Sequence, residues 1–182
     1  MKKISITLLL IATLFAGFTG CKEVSKLTQV RLPYSTQFTI PEIPVIMNSP
    51  IPVVSPAIPT NIETTLEGLG FKMDLVERIE IEKFDMELNA PADGDLNFFN
   101  TIQIYIEAEG LEKVLLAEKT VEESASKLSK VSLDCKNINL LDYFKNPEIT
   151  LSATVTTDKL VTREHTIDAK SVFMVDVKVL GL

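Results

Sequence analysis

From about residue 76 onward the apolar residues of this chain fall on alternate positions. Ile102, Ile104, Ile106 and Ala108 alternate with Thr101, Gln103, Tyr105 and Glu107, and Ile149, Leu151, Ala153 and Val155 alternate with Thr150, Ser152, Thr154 and Thr156. A period of two marks a strand with one face buried and the other in water. Ile167, Ala169, Phe173, Val175, Val177 and Val179 also share one parity, which predicts a long terminal strand or two kept in phase. In "RIEIEKFDMEL" the parity flips between Ile81 and Phe84. A uniform strand would leave half of these side chains in water, so a bulge around Glu82 and Lys83, or a crossing between sheets, is expected.

Turn signals separate these runs: "NAPADGD" at 89–95, "AEGLEK" at 108–113 and "FKNPE" at 144–148. Helical signals are few. Asn61 to Gly70 opens on a capping residue type, places Ile62, Leu66 and Leu69 on one face and ends in glycine, which predicts a short helix. Thr120 with Glu123 has the spacing of a capping box, and "NLLDYF" at 139–144 suits one more helical turn. Many short strands, few helices and regular turns predict an all-β fold, an antiparallel sandwich.

The stretch 27–60 differs. Residues 27–40 contain alternating runs that read as one or two strands interrupted by Pro33, and residues 41–60 hold six of the nine prolines with Glu42 as their single charge. Proline fixes φ and lacks an amide donor, so this stretch is neither a helix nor a central strand. Exposed Ile43, Val45, Ile46, Ile51, Val53 and Val54 would form a sticky patch, so the expectation is an extended arm packed on its own domain, contributing an edge at most. The alternative is a segment that binds a partner.

The start of the chain carries an address. Lys2 and Lys3 precede an apolar segment from Ile4 to Phe18, about 15 residues against the roughly 20 a spanning helix needs, so a secretory signal is expected. Thr19 and Gly20 before Cys21 resemble the lipobox of bacterial lipoproteins, which implies cleavage before Cys21 and acylation of its thiol and new amino group. Phe18 stands where such signals usually carry Leu. Acyl chains contribute about 0.8 kcal/mol per buried methylene, so a multiply acylated Cys21 would anchor the chain without help from the folded domain. Lys22 at the position after the cysteine, where Asp would favour the inner membrane, points to the outer membrane, with the side left open. The expected organisation is a signal over 1–20, a lipidated tether over 21–26, short strands and the proline-rich arm over 27–60, and a β-sandwich domain over 61–182.

Removing residues 1–20 takes Lys2 and Lys3 with it and leaves 16 basic against 25 acidic side chains, a net of −9. That sign disfavours a nucleic acid partner. With Cys21 used by lipid, Cys135 has no partner for a disulfide, and its parity with Val131 and Leu133 predicts a buried, inert thiol. His165 is the only histidine and lacks a second histidine or cysteine for zinc. Asp93, Asp95 and Asn97 have the spacing of the opening of a calcium loop, but its sixth position is Phe98 and its twelfth Ile104, so an Asp-Gly turn is the expectation. Glu80, Glu82, Asp85 and Glu87 sit at strand positions that face solvent, and none is singled out as half of a catalytic pair.

The block Val76 to Val121, above all "LNFFNTIQIYIEAEGLEKVLLAEKT", resembles uncharacterised outer-membrane lipoproteins of Bacteroidetes type. The resemblance covers about the last two-thirds of the chain and implies an immunoglobulin-like sandwich; it brings no assigned activity and no catalytic residues. No catalytic, cofactor or metal site is therefore expected, and Cys21 is the single modified position. The function expected is a noncatalytic structural or protein-interaction module held at the membrane by lipid, with another envelope protein as partner. The alternatives are a small-ligand or glycan-binding lipoprotein, and an envelope hydrolase whose paired carboxylates converge from different strands.

Overall fold

The computed structural model describes residues 29–44 and 50–178. Cys21 and the lipidation expected there lie outside the described residues, as do Val45, Ile46 and Val179. Nine strands, all antiparallel to their neighbours, form one curled sheet: β1 (Gln29–Ile40), β2 (Ile51–Val54), β3 (Ile58–Pro59), β4 (Val76–Ala90), β5 (Phe99–Glu107), β6 (Val114–Thr120), β7 (Lys130–Cys135), β8 (Glu148–Thr157) and β9 (His165–Val177). Their order is β1-β9-β4-β7-β6-β5-β8-β2, with β3 on β8. Two short helices, α1 (Ile62–Gly68) and α2 (Leu141–Phe144), complete the described elements apart from a 3-10 turn at Met73–Leu75. No helix among the described residues is long and apolar enough to cross a membrane.

The sheet curls at β7. Its first half pairs with β4, Phe84↔Leu133 to Glu87↔Lys130, whereas its end pairs with β6 through Ala117↔Cys135 and Glu118↔Asp134 alone. A strand that changes partners partway along its length turns a corner and brings the two halves of the sheet face to face. Between them lies one core, in which Ile79, Met86, Ile102, Ile104, Ile106, Phe173 and Val175 are fully buried. The alternate residues of β5, β8 and β9 supply it, as their parity requires.

The parity flip in β4 has the expected cause. Ile81 pairs with Phe173 and Lys83 with Val172, so Glu82 is the extra residue of a bulge, and Ile79, Ile81, Phe84 and Met86 all point inward. Below the short β4–β7 pairing, the free side of β4 is taken by the chain leading to α2. Leu140 N donates to Ile79 O at 2.7 Å, and Ile79 N donates to Asn139 Oδ1 at 3.2 Å.

Four sequence expectations meet corrections. Pro33 does not interrupt β1, which pairs with β9 over all twelve residues; β1 is an edge, so the missing amide can face outward without breaking a ladder bond. Leu69 is 54% exposed although Ile62 and Leu66 are buried. The helix stops at Gly68, and Gly70 (φ +82°) turns the chain away before Leu69 can join that face. Thr120 and Glu123 start no helix: Val121 N donates to Asn100 O and Leu128 N to Asp95, which holds the segment extended between neighbours. Cys135 is half-buried rather than buried, because β7 ends there at the corner.

The proline-rich stretch contributes β2 and β3, both on β8. Ile43 and Val53 are buried while Val54 is 62% exposed.

Candidate functional site

Strand direction gives the molecule two unlike ends. At one, β1, β4 and β8 begin, β9 ends, and α1 and α2 lie nearby. Phe144 of α2 packs edge-on against Phe173 (centroids 4.8 Å) and Tyr34 (5.6 Å), filling the space between the sheet halves. The Tyr34 hydroxyl donates to Thr60 O, and burial pushes its pKa up to about 12. At the other end three loops gather: β4–β5 (residues 91–98), β6–β7 (121–129) and β8–β9 (158–164).

Asp95 joins the first two loops. Its Oδ1 accepts from Asn97 N at 2.9 Å and Leu128 N at 3.0 Å, and its Oδ2 accepts from Asn97 Nδ2 at 3.0 Å. Burial alone would raise its pKa, but the two amides and the Asn97 side chain outweigh burial and hold the carboxyl below its ordinary range. Asp93 instead pairs with Arg163 Nη1 at 3.0 Å, which also lowers its pKa. The calcium-like spacing thus serves loop architecture. Among the described residues no group of three or more His, Cys, Asp or Glu side chains is placed to hold a metal.

The three loops line an open cavity of about 310 Å³, bordered among others by Asn97, Phe98, Ser124, Leu160, Arg163 and His165. His165, the first residue of β9, is 95% removed from solvent and lies tilted against Phe98, centroids 4.9 Å apart. Its Nδ1 is 2.9 Å from Arg163 O. A carbonyl only accepts, so Nδ1 carries a proton, and in this tautomer the lone pair lies on Nε2. Nε2 has no partner among the described residues. Gly94 makes room for the ring: a Cβ there would come within 2.9 Å of Pro91 O and 3.2 Å of His165 Cδ2.

Asn97 adds a second unfilled acceptor. Its Nδ2 donates to Asp95 Oδ2 and to Ser126 O at 2.8 Å, which fixes the amide orientation, and its buried Oδ1 has no partner. Sequence reasoning set His165 aside for want of a second ligand residue and did not single out Phe98. Their relation rests on the β4–β5 loop meeting the start of β9, for which the local sequence carries no signal.

The acids of β4 form a different arrangement, on the outer face of the sheet. Asp85 is buried beneath Lys130 Nζ (2.7 Å), Lys83 Nζ (2.8 Å) and Ser132 Oγ (2.7 Å), and Lys130 also reaches Glu87 at 2.9 Å. Burial would raise the Asp85 pKa; the two lysines and the serine outweigh it and bring it to about 2. Glu82 is held down by Arg31, and Glu87 by Lys130 and Lys170. Glu80 pairs with Arg78. These carboxylates share one strand and are tied to cations, an arrangement that stabilises the anions and withholds a proton donor. The Cys135 thiol, far from His165 in the fold, is pushed up by burial and by Asp134 and Asp85.

No protein family model matches the chain, and no curated protein matches it. Among solved structures, a chain described as Desmodium yellow mottle tymovirus is similar at 8% identity and TM-score 0.32, over 85% of this chain and 91% of that one. A likeness at that level does not extend to function.

Proposed function

We propose that this chain is a lipid-anchored outer-membrane protein, tethered through Cys21, whose immunoglobulin-like sandwich is a noncatalytic module that binds through its loop end. One observation carries this reading: β1 starts at the helical end and runs twelve residues, about 40 Å, to the loop end. Eight positions separate Cys21 from Gln29, a reach of at most about 28 Å. A lipid at Cys21 would therefore hold the helical end toward the membrane and the three loops away from it. Loops on a rigid scaffold, facing away from the anchor, are where such a module meets another envelope protein.

Two features bear on the alternatives. The carboxyls that depart clearly from their ordinary range, among them Asp85, Glu87, Asp93 and Asp95, all depart downward. A paired-carboxylate hydrolase needs one acid held protonated, so this weighs against that reading. The cavity at His165 favours small-ligand or glycan binding as a second use of the same end.

Two photo-crosslinking positions test the orientation in intact cells. Leu160 is 49% exposed on the β8–β9 loop, and Leu69 is 54% exposed beside α1. A photo-reactive side chain at position 160 is expected to give protein adducts and one at position 69 none; the reverse would overturn the reading. Cys21→Ser is expected to release the chain from membranes, and retention would refute lipid as the sole tether.

A further inference from the structure

Two residues lining the loop-end hollow carry acceptors without donors: Asn97, whose Oδ1 is buried beneath its wall, and His165 at Nε2. A buried acceptor in a folded protein nearly always finds a donor, so Asn97 Oδ1, next to the unpartnered His165 Nε2, points to a molecule that brings O–H or N–H groups. The charges around them decide its class. Asp93 is paired with Arg163, Lys159 with Glu123 at 3.0 Å, and Asp95 already accepts three hydrogen bonds. Both cations of the lining are paired, which leaves none for an anion, and Asp95 is occupied by neutral amide donors, so we assign the missing donors to a neutral molecule. Phe98 and Val161 give the cavity an apolar wall, and at about 310 Å³ it is at the small end of ligand sites.

We propose that this cavity is a binding site for a small neutral polyol of monosaccharide size, whose hydroxyls donate to His165 Nε2 and Asn97 Oδ1 and whose C–H face rests on Phe98. The inference rests on the loop end being the binding end and adds the ligand class. Asn97 Oδ1 is sealed in this structure, so the β8–β9 loop must shift as the ligand enters. Its clamps are two exposed ion pairs, Arg163–Asp93 and Lys159–Glu123, and such pairs in water hold weakly. A neutral acceptor pair of this kind discriminates strongly: a ligand with its hydroxyls replaced by hydrogens leaves both acceptors unfilled again.

The single histidine makes the test direct, because its ring gives one set of resonances. The full-length protein in detergent is titrated with D-glucose, D-galactose and N-acetyl-D-glucosamine while the His165 ring and the Asn97 side-chain amide are followed by NMR. At least one sugar is expected to shift both saturably, and cyclohexane-1,2-diol, with fewer donors, to bind at least tenfold more weakly. His165→Phe keeps the ring volume and is expected to weaken binding at least tenfold, read at the Asn97 amide. Ser124→Trp at the exposed rim fills the cavity without touching the core and is expected to abolish the shifts with the remaining amide spectrum unchanged. Silence of both reporters toward all three sugars overturns the proposal, as does a saturable response to ethylamine in place of the sugars. Adducts at position 160 in cells together with silent sugars would remove the ligand and leave the loop end as the protein-binding end.

Discussion

The two ends of the sheet solve the same problem with opposite materials. At the helical end α2 lowers Phe144 onto Phe173 and Tyr34, and Leu66, Leu140 and Ile62 close the remaining space. At the loop end the closure is polar, with Asp95 receiving amides from two loops, Asn97 receiving none on Oδ1, and His165 held by a carbonyl. An apolar plug gains by excluding everything, water included. A polar closure with acceptors left over is stable only to the extent that something supplies them, which is why the second end can serve recognition and the first serves stability.

The contrast breaks most visibly at Phe144. It is 1% exposed, and Phe144→Ala is expected to cost about 3–5 kcal/mol in denaturant unfolding, while the loop end keeps its amide protection until the whole domain unfolds. Asp95→Ala is the corresponding cut at the other end. It strands the amides of Leu128 and Asn97, with an expected loss of about 1.5–3 kcal/mol and faster hydrogen exchange at Leu128 and Leu96 than at Phe144; unchanged exchange at Leu128 would mean that Asp95 does not staple the loops.

Acid sharpens the difference further, since protons act on carboxylates and leave the ring cluster alone. Asp95 and Asp85 both have folded-state pKa values lowered from an ordinary 3.8, Asp85 to about 2. Their stabilisation is present above the ordinary 3.8 and is lost as the pH falls through the lowered folded-state values, for Asp85 toward about 2, because the unfolded chain takes up protons first. For Asp85 the loss amounts to about 2 kcal/mol, and Asp85→Asn is expected to flatten the stability profile over that range. Loop-end amides should lose protection in acid before those around Phe144. The smallest effect belongs to the clamps: Arg163→Ala removes an exposed ion pair and is expected to leave the thermal midpoint nearly unchanged in calorimetry.

Much of this fold was legible because burial on alternate residues leaves a mark in sequence. The parity of β5, β8 and β9 and the flip at Glu82 follow from side chains that must choose a face. What was not legible depends on neighbours. Pro33 reads as an interruption until β1 is known to be an edge, and the partner change within β7 has no local signature in "KVSLDC". The Thr120 box fails because amides that a helix would need are taken by Asn100 and Asp95 across the loop end. The candidate site was half visible: Asp93 and Asp95 stood out as turn chemistry, while His165 gained meaning only when Gly94, Phe98 and Arg163 O closed around it.

The pairing of β1 with β9 also governs the order of assembly. Its register runs from Ile40↔His165 to Gln29↔Asp176, so a ribbon delivered from its amino end must keep its first strand waiting, with one whole ladder unmet, until about a hundred or more further residues have followed. Long-range pairing of this kind makes a slow folder. During that interval Gln29–Ile40 is an open template for any passing strand, and a chaperone that shields this segment would do more for the yield of the protein than any contact in the finished molecule.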